Sequence, residues 1–190
     1  MDPAADYSRI LRHAGRRAVP ALARELRLNR RAAAEAWGAA GGLVLAGLAR
    51  HQGRRAPAAN AAQGVLDKYA RPADVDAADL AIPAHLARPG LDPRLGGLFG
   101  DAAGRTARWL SGRTGASPDA LSRALAASAP IALGALSRAA PPASLPGLLA
   151  SVPQAALDAP ERLLDRGPVA DAFRSGRRAG GTALGRVLFR

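Results

Sequence analysis

Apolar residues recur every three or four positions along most of the chain, which is the period of an amphipathic helix. The first such segment covers residues 3–19. Pro20 restarts the helix at its first turn, and this second piece ends near Leu28. Asn29 is a good N-cap for the next helix, which the pattern predicts over residues 30–51. The beginning of the chain is therefore predicted as consecutive helices.

The rest of the pattern continues as helices separated by Pro and Gly. Further helical segments are predicted over residues 58–69, 74–87, 102–112, 118–129 and 130–140. Pro83 interrupts the second of these, while Ser117 caps the fourth and Pro118 takes its first position. Residues 95–100 form a Gly-rich apolar stretch, predicted as a flexible hinge. The pattern therefore predicts an all-α, multihelical compact domain.

Composition supports this fold class and limits the chemistry. Roughly a quarter of the residues are Ala and 4% are aromatic, so the core must consist of small and aliphatic side chains at close helix contacts. Gly38, Gly41 and Gly42 lie inside the helix predicted over residues 30–51, which either breaks near Gly41 or uses its glycines for close packing. The chain contains no Cys, which excludes disulfides, thiolate zinc sites and cysteine nucleophiles.

An internal repeat emerges when the chain is compared with itself at a shift of 88 residues. Residues 22–49 then overlie residues 110–137, and each copy is predicted as a short helix, a tight turn and a longer helix. The matching positions are Asn29 with Ser117, Ala33 with Leu121, Trp37 with Leu125, Leu45 with Leu133, Leu48 with Leu136, and Arg50 with Arg138. The coincidence of the two predicted N-caps is the strongest evidence for the repeat, so we interpret the two segments as copies of one helical hairpin.

The turn of the second copy has the spacing of a helix-turn-helix. Ser111, Gly115 and Leu121 stand where two steeply crossing helices need a small, a positive-φ and an apolar residue. The helix that would read a base sequence, residues 118–129, offers only Arg123 as a strong donor. We therefore expect two core helices in a homeodomain-like arrangement.

After residue 140 prolines become frequent and the helical periodicity of apolar residues weakens. Residues 141–190 begin as a Pro-rich linker and end in a basic tail, and we separate them from a helical domain over residues 1–140. Residues 172–190 combine apolar side chains with five Arg, and we expect this segment to be disordered in isolation. Its composition is compatible with peripheral contact with an anionic membrane or with a partner helix.

The N-terminal sequence has no apolar core of the kind found in secretory signals. Residues 139–157 are long enough to cross a bilayer but are interrupted by four prolines, while the apolar runs 36–49 and 124–137 are too short and are flanked by Arg. The sequence therefore predicts no transmembrane segment and a cytoplasmic location.

The net charge of +12 comes from 27 basic and 15 acidic residues, and Lys68 is the only Lys. A GC-rich coding sequence would produce the same excess of Arg at solvated positions. Residues 1–60 carry +7 of the net charge, and Arg24, Arg27, Arg30 and Arg31 cluster there around the predicted turn. These four are the candidate nucleic-acid-binding residues, for contact with the phosphate backbone that is largely independent of sequence. The alternative is an ordinary solvated helix face.

Motifs that would support catalysis are lacking. His13, His51 and His85 are far apart and form no HExxH pattern, and no Ser lies in a GxSxG elbow. The acidic cluster of Asp74, Asp76 and Asp79 lacks the Gly and terminal Glu of a calcium loop, so helix capping is the favoured role. We expect no enzymatic activity, no metal and no cofactor.

The second half of the chain resembles a bacterial protein family. Its motifs are Leu95-Gly-Gly-Leu-Phe-Gly100, Ser117-Pro-Asp-Ala-Leu121 and Ala129-Pro-Ile-Ala-Leu-Gly-Ala-Leu136. This order is similar to that of the YidB-like family, the bacterial domain of unknown function 937, over about residues 20–140. The resemblance implies an all-α domain with a homeodomain-like helical array, and it supplies no catalytic residues. The first copy departs from the motif, with Gly41-Gly42 in place of Ala129-Pro130.

Two functions remain from the sequence. The first is a non-enzymatic helical binding or scaffold protein that acts through protein–protein contacts, with an unknown partner or by self-association. The alternative is nucleic-acid binding through the basic N-terminal helices.

Overall fold

The computed structural model describes residues 2–53, 61–88 and 93–152, and these residues form helices without a strand. The helices are α1 (Pro3–Leu26), α2 (Arg30–Gly53), α3 (Ala61–Tyr69), α4 (Pro72–Asp76), α5 (Ala78–Leu86), α6 (Pro93–Phe99), α7 (Ala102–Thr114), α8 (Pro118–Ala139) and α9 (Leu145–Ala150). The predicted all-α class is confirmed.

Side-chain caps begin the two longest helices of the repeat as the sequence predicts. Asn29 Oδ1 accepts a hydrogen bond from Ala32 N at 2.8 Å before α2, and Ser117 Oγ accepts one from Ala120 N at 3.2 Å before α8. Both caps therefore bond to the residue three positions later, which satisfies an N–H group that has no partner within its own helix.

The turns before these caps have the same backbone conformation. Arg27 ends α1 with φ 53°, and Gly115 ends α7 with φ 73°, both in the left-handed region. These positions are 88 residues apart, like the two caps. Glycine adopts this conformation without steric cost, whereas Arg27 carries a Cβ atom that makes it unfavourable. The same turn is thus built twice, under strain in the first copy.

Helices α2 and α8 form the centre of the fold. They pack against each other, and both α1 and α7 pack against the two of them. Every residue from 36 to 48 in α2 is buried. A helix that is apolar all round requires neighbours on all sides, and α2 has α1, α3, α6, α7, α8 and α9 around it.

Helix α2 runs through its glycines without a break, so the close-packing alternative holds. The Tyr7 hydroxyl donates to the Gly41 carbonyl at 3.1 Å, and burial raises the pKa of Tyr7 far above its ordinary value, which keeps this donor protonated. A Cβ atom at Gly41 would lie 2.7 Å from Leu11 Cδ1. The missing side chain of Gly41 thus lets α1 and α2 approach closely.

The helix boundaries expected at Pro20 and Pro130 are wrong, because α1 and α8 continue through both residues. Pro20 is exposed, so solvent can reach the backbone at this point of α1. Proline lacks an N–H group, so at Pro130 it is the Ala126 carbonyl, four residues earlier, that loses its helical donor. The Pro130 carbonyl accepts a hydrogen bond from Arg71 N at 3.3 Å, which ties the start of α4 to α8. Because α1 continues through Pro20, it is 24 residues long, and the first copy begins with a long helix instead of the short one predicted.

Part of the predicted tail belongs to the helical packing. Leu145, Leu148 and Leu149 of α9 are buried, and α9 packs against α1 and α2. Residues 153–190 lie outside the described residues, so the domain boundary at residue 140 stays a prediction.

An ion pair ties the end of α4 to α8. Arg138 donates from both terminal nitrogens to the Asp76 carboxylate, at 2.8 and 2.6 Å, and Arg17 donates to the Asp76 backbone carbonyl at 2.6 Å. The hydrogen bonds from Arg138 lower the pKa of Asp76 below its ordinary value. The charged carboxylate therefore favours the folded state.

We expect the Asp76 contribution to stability to depend on pH. Because the pKa of Asp76 is lower in the folded than in the unfolded chain, the contribution is complete above the unfolded pKa and is lost as the pH falls through the folded pKa. Asp76→Asn should lower the melting temperature slightly at pH 7, and this difference should vanish in strong acid. A difference that persists unchanged at pH 2 would contradict this prediction.

Candidate functional site

The α1–α2 turn brings the four predicted arginines together. Arg24 lies in the last turn of α1, Arg27 ends that helix, and Arg30 and Arg31 open α2. All four are exposed. The negative end of the α1 dipole and the positive end of the α2 dipole meet here and offset each other, so the positive charge of this corner comes from the arginine side chains.

Glu25 and Glu35 compensate the charges of Arg24 and Arg31. Arg24 Nε lies 2.8 Å from the Glu25 carboxylate, and Arg31 Nε lies 3.0 Å from that of Glu35. The arginine side chains are 66% and 62% exposed, so such pairs contribute at most about 1 kcal/mol each. Arg27 has no side-chain partner in the part of the chain that the structure describes.

The second copy contributes a residue to this surface that the sequence reasoning missed. Arg113 Nε lies 3.3 Å from Glu35 Oε2, and its guanidinium lies over the Trp109 ring, 4.5 Å from the centroid. Since Glu35 is near the start of α2 and Arg113 is near the end of α7, the two hairpin turns lie at the same end of the molecule. The spacing of four residues, which places Trp109 and Arg113 on the same face of a helix, was the sequence feature from which this contact could have been predicted.

A groove of about 280 Å³ lies between α2, α6, α7 and α8. Leu43, Phe99, Ala103, Leu125 and Ala129 form most of its apolar wall. Leu43, Phe99, Leu125 and Ala129 are buried, while Ala103 is half-buried. The sequence reasoning did not identify this groove, because its residues are ordinary core residues by type.

The equivalent place in the first copy is filled by an indole ring. Trp37 is 2% exposed, and its Nε1 donates to the Leu11 carbonyl at 3.1 Å. Gly15 permits this approach, because a Cβ atom there would lie 2.7 Å from Trp37 Nε1. Trp37 and Gly41 correspond to Leu125 and Ala129 within the repeat, and the same shift of 88 residues, continued towards the N-terminus of each copy, pairs Leu11 and Gly15 with Phe99 and Ala103. All four counterparts line the groove, so the second hairpin is open where Trp37 closes the first.

The rim of the groove carries two opposite charges. Asp119 and Arg123 are exposed and line it, and neither forms an ion pair within the described residues. Their counterparts in the first copy are Arg31 and Glu35, which have reversed charges and do form an ion pair. The rim charges of the second copy are therefore available to a ligand.

Two of the residues considered for catalysis or metal binding, His85 and Asp74, contact each other. His85 Nε2 lies 2.9 Å from Asp74 Oδ2, which joins α5 to α4. Among the described residues, no group of three or more His, Asp or Glu could hold a metal ion. Residues 172–190 lie outside the described residues, so their contact with a membrane or a partner stays a prediction.

Two helices are long and apolar enough to cross a bilayer, Arg30–Gln52 and Pro118–Ala139. Of their apolar windows, 83% and 67% are buried inside the fold. These helices are longer than the apolar runs 36–49 and 124–137, which are too short on sequence alone to predict a transmembrane helix. Central helices of a water-soluble core have the same composition, so length and hydropathy are weak evidence for membrane insertion.

Comparison with known proteins gives a family. A family model described as "Bacterial protein of unknown function (DUF937)" matches residues 9–139, from α1 to the end of α8. No curated protein and no solved structure matches the chain. The family expected from the motifs is confirmed, while the homeodomain-like arrangement stays an expectation.

Proposed function

Because the chain belongs to the DUF937 family of bacterial proteins of unknown function, we propose a function from its own geometry. The protein is a non-enzymatic helical binding or scaffold protein that acts through protein–protein contacts. The observation that carries this proposal is the groove of the second hairpin, which lies open where the first hairpin is closed by its own Trp37.

The groove has the properties of a recognition site. Its wall is apolar, with a few polar groups at the rim, as in sites that bury an apolar group and fix its orientation. One side of the wall belongs to α2, which is held by neighbours on all sides. A ligand therefore meets a surface that is formed before it binds, which reduces the entropic cost of association.

Light scattering and affinity capture test this proposal. The full chain should either self-associate with increasing concentration or retain a defined protein partner after nuclease treatment, and that partner should bind again when both proteins are purified. Nuclease treatment separates direct protein contact from bridging by nucleic acid. A monomer at every concentration without a partner that binds in purified form would overturn the proposal.

Backbone-directed nucleic-acid binding is the second candidate, and the conformation of Arg27 favours it. Arg27 is the only non-glycine residue with positive φ in the described part of the chain, and it stands where the second copy has Gly115. Its side chain is exposed beside Arg24, Arg30 and Arg31. A strained arginine at the centre of a basic turn supports a use for its charge, because strained residues cluster at functional sites.

Under this second candidate, Arg27→Gly should stabilise the fold and weaken binding to duplex DNA or RNA. Glycine removes the left-handed strain, so we expect unfolding to cost up to about 1 kcal/mol more. Loss of one phosphate contact should reduce the slope of log K against log salt by about 1. Fluorescence anisotropy over a salt series measures the binding.

Two matched variants accompany this experiment. Arg27→Gln removes the charge but keeps the strain, so it should weaken binding without a gain in stability. Arg88→Gln removes an exposed charge away from the turn and should leave the salt slope unchanged. Absent binding at low salt, or an equal effect of both glutamine variants, would exclude the basic turn as a nucleic-acid site.

We propose the cytoplasm as the setting for either function. The extensive burial of α2 and α8 inside the fold supports this, because a bilayer would have to replace those contacts. Cell fractionation tests it: the full chain should be recovered in the soluble fraction. Recovery in membranes that resist carbonate extraction would contradict the proposed location.

A further inference from the structure

We propose that the groove of the second hairpin binds an aromatic side chain, which a partner protein presents beside a carboxylate. An indole ring is the best fit. The inference rests on the proposed function and names the site and the chemistry of the partner.

The first hairpin provides the pattern for this occupant. There the Trp37 indole occupies the space between α1 and α2 and donates to the Leu11 carbonyl. In the second hairpin the smaller Leu125 stands in place of Trp37. The space that an indole takes in one copy is therefore available in the other to a ring supplied from outside the hairpin.

The size and the acceptor group of the groove agree with this occupant. An apolar protein cavity on the order of 150 Å³ accepts benzene, so the groove volume of about 280 Å³ is sufficient for a two-ring side chain. Phe99 corresponds to Leu11, and its carbonyl accepts no backbone hydrogen bond within the described residues, because α6 ends there and Gly100 turns the chain with φ 51°. The Phe99 carbonyl is thus the sequence counterpart of the Leu11 carbonyl, which accepts from Trp37 Nε1 in the first copy.

One difference between the copies explains why the second does not supply its own indole. Ala103 replaces Gly15, and a Cβ atom at Gly15 would lie 2.7 Å from the indole nitrogen. A tryptophan tethered at position 125 would meet the Ala103 methyl group in the same way. A ring from a partner is not held to the α8 backbone and can shift away from this contact.

The rim charges select the residue next to the ring. Asp119 lies in the first turn of α8, where the helix dipole already stabilises its negative charge. Arg123 lies one turn further along, without an ion pair in the described residues. A carboxylate beside the aromatic side chain would therefore pair with Arg123.

Peptide titrations followed by NMR amide shifts of the full chain test the inference. The probes are acetyl-Trp-Glu-amide, acetyl-Trp-Lys-amide and acetyl-Ala-Glu-amide. The Trp-Glu peptide should saturably shift the amides of Phe99, Ala103, Leu125 and Ala129. It should bind about two- to fivefold more tightly than the Trp-Lys peptide, as expected for one exposed ion pair, and Arg123→Gln should abolish that preference. The Ala-Glu peptide should not bind.

Variants that fill the groove supply the decisive comparison. The double variant A103G/L125W recreates the Gly15 and Trp37 pair and should lose Trp-Glu binding, whereas A103G alone should keep it. Leu80→Trp is the matched control, since Leu80 is 72% exposed on α5, and it should bind like the parent. Ala103→Leu fills the groove from α7 and should also abolish binding if the double variant does not fold.

Two results would overturn the inference: no saturable shift at millimolar peptide, or equal binding by the parent and a folded groove-filled variant. Either result would leave the proposed function standing if the chain still self-associates or holds a purified partner. Conversely, the proposed function fails if neither association occurs in light scattering and capture, whatever the peptides do.

Discussion

Replacing Gly134 with alanine should lower the free energy of unfolding by up to about 2 kcal/mol. A Cβ atom at Gly134 would lie 2.5 Å from the Arg71 carbonyl oxygen and 2.9 Å from Pro72 N. These are backbone atoms, so no side-chain rotation relieves the overlap, and α4 must move away from α8. Overpacking of this kind costs roughly 1–3 kcal/mol and exceeds the gain of about 1 kcal/mol from the better helix propensity of alanine.

The matched control is Gly112→Ala in α7. Gly112 is exposed, and nothing lies within 4 Å of a Cβ atom there. The substitution should therefore raise the stability by up to about 1 kcal/mol, since only the helix propensity changes. Urea denaturation followed by circular dichroism measures both variants. Equal effects of the two substitutions would show that α4 does not cross α8 at Gly134.

Replacing Trp37 with alanine should cost about 3–5 kcal/mol, which is a large part of the stability of a typical domain. The substitution removes a buried indole from between α1 and α2 and with it the hydrogen bond to the Leu11 carbonyl. The surrounding helices cannot collapse fully into the space, because α1 and α2 are also held by α8. The same urea titration measures the loss.

Trp109 offers a matched substitution of the same residue type. It is half-buried, and its main specific contact is the stacked Arg113 guanidinium, so Trp109→Ala should cost about 1 kcal/mol. If Trp37→Ala and Trp109→Ala destabilised the protein equally, Trp37 would not be the residue that closes the first hairpin.

Local signals were sufficient to predict the frame of the fold. Asn29 and Ser117 are caps in the structure because their short polar side chains satisfy N–H groups of α2 and α8. The repeat of 88 residues includes, besides these caps, the left-handed residues Arg27 and Gly115. Such features depend only on a few neighbouring residues, and a single sequence contains them.

Contacts between distant segments could not be predicted in the same way. Pro130 lies inside α8, where its carbonyl accepts a hydrogen bond from Arg71 N, and this contact between α4 and α8 exists only in the assembled fold. The pair of Glu35 and Arg113 likewise joins residues from the two copies. Nothing in the sequence marks the groove, because no residue type indicates an empty space between helices. The groove is recognised only when the positions of Leu125 and Trp37 in the structure are compared.

The candidate basic site was predicted in position but not in detail. The cluster of arginines around the first turn is present as expected. Its ion pairs with Glu25 and Glu35 depend on side-chain geometry, as does the strained backbone of Arg27. The charge of this turn is therefore smaller than a count of arginines indicates, and Arg27 is its most informative residue.

The melting temperature of A103G/L125W, compared with that of A103G alone, tests most directly whether the second hairpin is an open version of the first. Filling the vacancy with an indole should stabilise the fold by about 1 kcal/mol and raise the melting temperature by roughly 2–4 °C. Leu80→Trp should leave it unchanged. A melting temperature of the double variant at or below that of A103G would contradict the equivalence of the two hairpins.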